Sequence, residues 1–197
     1  RTLTRTPSRM ISPRSARITS ITPTPYLQGR WSEDRILGTR HGGYQLTAVS
    51  STATGDAWAA GTKGMTLKRT GPTDWLEVTT RTTDPLLSIF AISGEEAWVG
   101  GVGPHLHYSG GQWLRIPRPP LTSPLKRIWM LSSDEGWAVG TVGTILYYAH
   151  GNWVQVPSVT DQTLNDLYMV SPNEGWAVGE QGTILHYQDG TWQPYSP

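Results

Sequence analysis

The chain has 197 residues, with 16 Lys and Arg against 15 Asp and Glu, ten Trp, eight Tyr, one Phe, 22 Gly, 15 Pro and no Cys. That length suits one domain with room for a tail, and the lack of Cys excludes disulfides, thiolate zinc sites and a cysteine nucleophile. No apolar run is long enough for a membrane-spanning helix, and none near the start has the form of a secretory signal.

Residues 1–25, RTLTRTPSRMISPRSARITSITPTP, hold five Arg and no acid and are rich in Ser, Thr and Pro. Such a stretch buries too little apolar surface to order itself. It predicts a disordered tail or linker, with Arg5, Arg9, Arg14 and Arg17 available to dock on a partner. The first residue is Arg1 rather than Met, which leads us to expect something upstream. Residues 26–45 follow. Within them YLQGRW (26–31) matches YQDGTW (187–192) as Tyr-x-x-Gly-x-Trp, which predicts a partial repeat or a closing strand.

From Leu46 onward the chain repeats itself. Trp58, Trp98, Trp137 and Trp176 recur about every 39 residues, and so do Trp75, Trp113, Trp153 and Trp192. Leu46, Leu86, Leu125 and Leu164 stand twelve residues before each Trp of the first set, and Gly64, Gly103, Gly143 and Gly182 follow it. Four units result, 46–85, 86–124, 125–163 and 164–197. In the third unit, LKRIWML (125–131) reads as a strand, SSDEG as a turn and 137–140 as a second strand. TILYY (144–148) and NWVQV (152–156) follow as a third and a fourth, separated by Gly-bearing turns. Four short antiparallel strands per repeat predict one blade of a β-propeller, and the fold class is all-β. Gly at the strand ends suggests turns that need positive φ.

The phrase GWAVG-x-x-GTILHY-x-x-G-x-W resembles the repeat of the photosystem II stability and assembly factor family, and the wider BNR or Asp-box repeats of sialidases and exported bacterial propellers. The resemblance runs from Leu46 to Trp192 and is strongest in the last two units. DGTW (189–192) keeps the end of an Asp-box, with Tyr187 where its Ser usually stands. The resemblance implies a propeller that docks on or stabilises a larger membrane complex, a photosynthetic one in that family. It also implies an extracytoplasmic location (periplasmic, lumenal or cell-surface), with a tether upstream. From the Asp-box side it implies a glycan-binding or vestigial sialidase-like propeller instead.

The sequence holds no G-x-S-x-G elbow, no P-loop and no H-E-x-x-H. We therefore expect no enzyme and no cofactor. His105 and His107 share a strand face, but His107 fills the position of Lys68, Tyr147 and His186 in the other units, so a blade slot is preferred to a metal site. An acid precedes each first-set Trp: Asp56, Glu96, Glu135 and Glu174. These form either a rim of carboxylates for a partner or a set of local caps, each accepting from its own turn's N–H groups. On the first strand, Thr47, Leu87, Lys126 and Asn165 share a slot, and Ala48, Ser88, Arg127 and Asp166 the next. Phe90, Trp129 and Tyr168 share a third with Ser50. Positions that vary on a fixed frame are where a partner could be read, so Lys126, Arg127, Arg115, Arg118 and Trp129 join the acids as candidate partner-binding residues.

Charge is unevenly placed. Residues 1–127 hold all 16 Lys and Arg with eight acids, a net of +8, and residues 128–197 hold seven acids and neither base. Opposed ends of this kind steer charged partners and permit head-to-tail contact between copies; folding of the basic tail onto the acidic units is the intramolecular counterpart. No basic stripe is interleaved with exposed stacking aromatics, so nucleic acid is not an expected partner. The expected function is a non-enzymatic protein-binding scaffold. A glycan binder would instead need an exposed Trp flanked by carboxylates, for which Trp31 and Trp129 are the two irregular candidates.

Overall fold

Tryptophans at a fixed spacing become neighbours only if successive units stack. In the computed structural model, which describes residues 35–37, 43–120 and 123–196, they do. β1 (Arg35–Leu37) precedes the repeats. The first sheet holds β2 (Leu46–Ser51), β3 (Ala57–Gly61), β4 (Thr66–Arg69) and β5 (Asp74–Glu77). The second holds β6 (Leu86–Ser93), β7 (Glu96–Gly101), β8 (Leu106–Ser109) and β9 (Gln112–Arg115). The third holds β10 (Leu125–Met130), β11 (Glu135–Gly140), β12 (Ile145–Ala149) and β13 (Asn152–Gln155). The fourth holds β14 (Leu164–Ser171), β15 (Glu174–Gly179), β16 (Ile184–Gln188) and β17 (Thr191–Pro194). Each is an antiparallel meander in sequence order, and β1 lies parallel on the outer edge of the first sheet beside β5. That places one strand of the 26–45 stretch; residues 1–25 and 26–31, with the tail arginines and Trp31, lie outside the described residues.

A four-stranded sheet cannot cover its own faces, and the repeat supplies the cover. Strand alternation puts Trp58 and Ala60 on the face of sheet one that meets sheet two, where they pack with Leu86, Ile89, Val99 and Trp113. Trp98 meets Leu125, Ile128, Leu146 and Trp153 of sheet three. Trp137 and Ile145 meet Leu164, Leu167, Leu185 and Trp192 of sheet four. We call the face turned to the following sheet trailing and the opposite one leading. Each trailing Trp meets a Tyr of the next sheet, Tyr108, Tyr148 or Tyr187, at 4.6–4.7 Å between ring centroids. Burying a ring of about 150–250 Å² is worth about 4–6 kcal/mol of transfer free energy. Among the described residues, no core cluster joins the fourth sheet to the first.

The glycines that close the W-A-V-G phrase act differently from the expectation of positive φ. Gly61 and Gly179 sit in extended backbone at φ −165° and −155°. A Cβ on Gly61, Gly101, Gly140 or Gly179 would lie 2.2–2.3 Å from the carbonyl oxygen of Gln45, Pro85, Pro124 or Thr163, so the requirement is space beside the start of the first strand. Positive φ is needed instead in the two-residue hairpin turns His150-Gly151 (52° and 81°) and Asp189-Gly190 (47° and 92°), the pattern that matches strand twist.

Trp98→Ala removes a fully enclosed ring and is expected to cost about 3–5 kcal/mol, whereas Trp176→Ala, on the trailing face of the last sheet, should cost less than half of that. Denaturant midpoints of the two variants decide it; equal losses would mean that Trp176 is as enclosed as Trp98.

Candidate functional site

The four acids stand two residues before their Trp, so period-2 alternation puts each on the same trailing face as the ring. The third strand completes the group, because register sets Lys68 opposite Trp58, His107 opposite Trp98, Tyr147 opposite Trp137 and His186 opposite Trp176. These are not surface slots. The His107 ring lies parallel on Trp98 at 3.9 Å, with His186 on Trp176 at 4.0 Å, and the Lys68 ammonium sits 5.7 Å from the Trp58 centroid. Three of the acids then engage these heads, while Lys68 pairs with Glu95 of the next sheet. Glu96 Oε1 pairs with His107 Nε2 at 2.9 Å, Tyr147 donates to Glu135 at 2.9 Å, and His186 lies 3.9 Å from Glu174. Burial first, and the bond to Glu135 next, raise the Tyr147 pKa above its ordinary value, so the phenol remains a donor.

Two acids also reach the following sheet. Ser133 of sheet three donates to Glu96 Oε2 at 2.8 Å, and Asp56 stands so close to Gly94 that a Cβ there would lie 2.7 Å from its Oδ1. Asp56 also accepts from the Thr52 and Thr54 hydroxyls. The local capping expected of the acids falls to serines: Ser93, Ser132 and Ser171 accept from the backbone N–H of Glu95, Asp134 and Asn173. The carboxylates therefore staple strands and sheets. Glu174, with no sheet beyond it among the described residues, has a half-exposed side chain.

The first strands lie against one another and carry the second group. Phe90, Trp129 and Tyr168 form a ladder, 5.3 Å and 4.4 Å between successive rings. Trp129 is half-buried within it and has the Arg127 guanidinium 5.6 Å from its centroid, which is not the exposed, carboxylate-flanked ring that a sugar would need. Arg127 pairs across the junction with Asp166 at 3.2 Å. Ser88 and Ser50, in variable slots, accept from the Ile128 and Ala91 amides of the next sheet. Lys126 is half-buried beside the strand bulge at Leu125/Arg127.

Arg115 and Arg118 line a separate cleft with Asp84, Pro104, His105 and Ile116. The structure thus brings Lys126, Arg127 and Trp129 together and sets Arg115 and Arg118 apart with His105. His105 is buried edge-on to Trp153, and neither ring nitrogen has a hydrogen-bond partner. Burial, with Arg118 second, lowers its pKa to about 3, so it is neutral when folded. His107 Nε2 is meanwhile taken up by Glu96. Among the described residues, no three His, Cys, Asp or Glu are grouped so as to hold a metal ion, and no helix is long and apolar enough to cross a membrane.

No family model and no curated protein matches the chain. Solved structures do. It is similar to YCF48 from Cyanidioschyzon merolae at 16% identity and a TM-score of 0.60, over 73% of this chain and 50% of that one. It is similar to YCF48 bound to D1 peptide at 22% identity and 0.59, over 76% and 54%. It is similar to the WD40 β-propeller domain of Doa1 at 14% and 0.59, over 77% and 54%. The chain spans about half the length of these structures. At such identities the likeness shows the fold: four-stranded propeller blades, resembling those of the photosystem II assembly factor YCF48.

His105 makes stability depend on pH. Below 6.5 the unfolded chain takes up a proton that the folded chain refuses until about 3, so stability falls as pH drops through that window. His105→Ile, which adopts the residue of Ile145 and Ile184, removes the effect. Between pH 7 and 5 the native chain should lose about 2 kcal/mol more than the variant in denaturant titrations; parallel profiles would refute a neutral buried imidazole.

Proposed function

We propose that the chain is a non-catalytic propeller module that binds a protein partner, docking on or stabilising a larger membrane-associated assembly on its extracytoplasmic side. The observation that carries this is the face formed by the first strands. The leucines that frame each junction repeat, while the slot of Thr47, Leu87, Lys126 and Asn165 changes from sheet to sheet. A surface whose frame is fixed and whose contacts vary is suited to one partner's shape and charge. A chain of the same fold, YCF48, engages a peptide, which supports a protein ligand. The repeat resemblance is what favours a photosynthetic membrane complex and the compartment outside the cytoplasm.

The candidate side chains support binding over turnover. Asp56, Glu96 and Glu135 are engaged by hydrogen bonds within and between sheets, and Arg127 lies over Trp129 while Arg115 and Arg118 line a separate cleft, so these groups do not converge on a shared reacting atom. The tail arginines contribute positive charge to docking, and the imbalance of charge along the chain sets its direction.

Crosslinked pull-down from detergent-solubilised membranes, read by mass spectrometry, tests this. A defined complex should be recovered, reduced several-fold at high salt, without residues 1–25, or by Lys126→Glu, a side chain with no ion pair among the described residues. Recovery of the bait alone under all conditions would end the proposal.

A further inference from the structure

The three internal junctions share one construction, and it is left unfinished at both ends. On the leading face, the first-strand pairs Leu86/Ile89, Leu125/Ile128 and Leu164/Leu167 are buried. The same pair in sheet one, Leu46 and Val49, is 52% and 66% exposed. Beside it is an apolar hollow of about 500 Å³, closed at its back by Ala59, Leu67 and Trp75. On the trailing face, Trp58, Trp98 and Trp137 are enclosed, whereas Trp176 is half-buried and Tyr168 and Val178 beside it are 56% and 44% exposed. Sheet one therefore presents a leading face with nothing described against its first strand, and sheet four a trailing face in the same condition.

We propose that these faces are each other's partners, and that a second copy of this chain joins the first head to tail, β14 of one copy against β2 of the other. Two observations select this occupant. The first is the template: Leu46 and Val49 keep the type and spacing of Leu86 and Ile89, and Trp176 keeps the ring that each internal junction inserts. The second is polar matching. Thr54 stands four residues before Trp58 as Ser133 stands four before Trp137; its one hydroxyl hydrogen goes to Asp56 within this chain and would turn to Glu174 across the new junction as Ser133 donates to Glu96. Arg69 holds the position of Tyr108, Tyr148 and Tyr187, the residues that face the trailing Trp, and would bring a cation to the Trp176 ring. Two copies related by a two-fold axis make both junctions at once and close eight sheets, within the range that propellers adopt.

Light scattering on the full 197-residue chain tests it. The expected mass is twice 21.7 kDa. Val49→Lys and Val178→Asp alter exposed side chains, so circular dichroism should be unchanged, but each alone should weaken the dimer at least about 100-fold and run as a monomer. An equal mixture should recover the dimer, because one junction is then unaltered on both sides and the other sets Lys against Asp. A native chain monomeric at all concentrations, a Val49→Lys variant that still dimerises, or a mixture that stays monomeric would each overturn the proposal. None of these results bears on capture of another protein by Lys126 and Arg127, so the two proposals fail separately.

Discussion

Everything in this molecule depends on covering one indole with the next sheet. A short twisted sheet has two faces and no means of hiding either, and a Trp near the middle of its second strand makes the exposed state costly. Once Trp58 is placed, Leu86, Ile89 and Trp113 must be brought to it; Trp98 then emerges on the other side and the problem recurs. The repeat length follows from this, since each unit must supply one trailing ring and one leading socket.

Much of that was legible. The spacing of Trp and Leu gave the number of sheets, and the strands of the third unit fall within about two residues of where alternation put them. The repeat could not reveal which neighbour each polar group would meet, because that depends on contacts between units. The carboxylates illustrate the point. Their position two residues before a Trp was visible, and alternation alone would have put them on the trailing face. The cross-strand partners His107, Tyr147 and His186 become evident only when the register is known. The W-A-V-G glycine was attributed to turn geometry, whereas the determining contact is a carbonyl oxygen at the entry to the first strand, some 16 residues earlier in sequence. The isolation of His105 had one sequence signal, a polar residue where two other units carry Ile.

The candidate binding residues divide accordingly. Those of the frame, Asp56, Glu96 and Glu135, are occupied in holding strands and sheets together. Those that vary, above all Lys126, Arg127 and Trp129, sit on first strands, whose neighbours are other first strands. Variation is tolerated at these slots because the hydrophobic closure rests on other positions, the buried Leu86, Ile89, Leu125, Ile128, Leu164 and Leu167 of the same first strands among them.

The three seams between sheets differ in their polar content. At the first, hydroxyls and an ion pair do the joining: Thr47 donates to the Leu86 carbonyl, Ser50 accepts from Ala91, and Lys68 pairs with Glu95. At the second, Ser88 meets Ile128. At the third the corresponding hydroxyl is replaced by Arg127, Asp166 accepts from its own neighbour Leu167, and the seam is bridged by a half-exposed ion pair. Hydroxyl contacts are indifferent to dissolved ions, but such a pair is screened by them. The stack therefore has a grain, like wood: it is bonded alike by its rings throughout, but the first and third seams, each crossed by an ion pair, are the ones that electrolyte can soften.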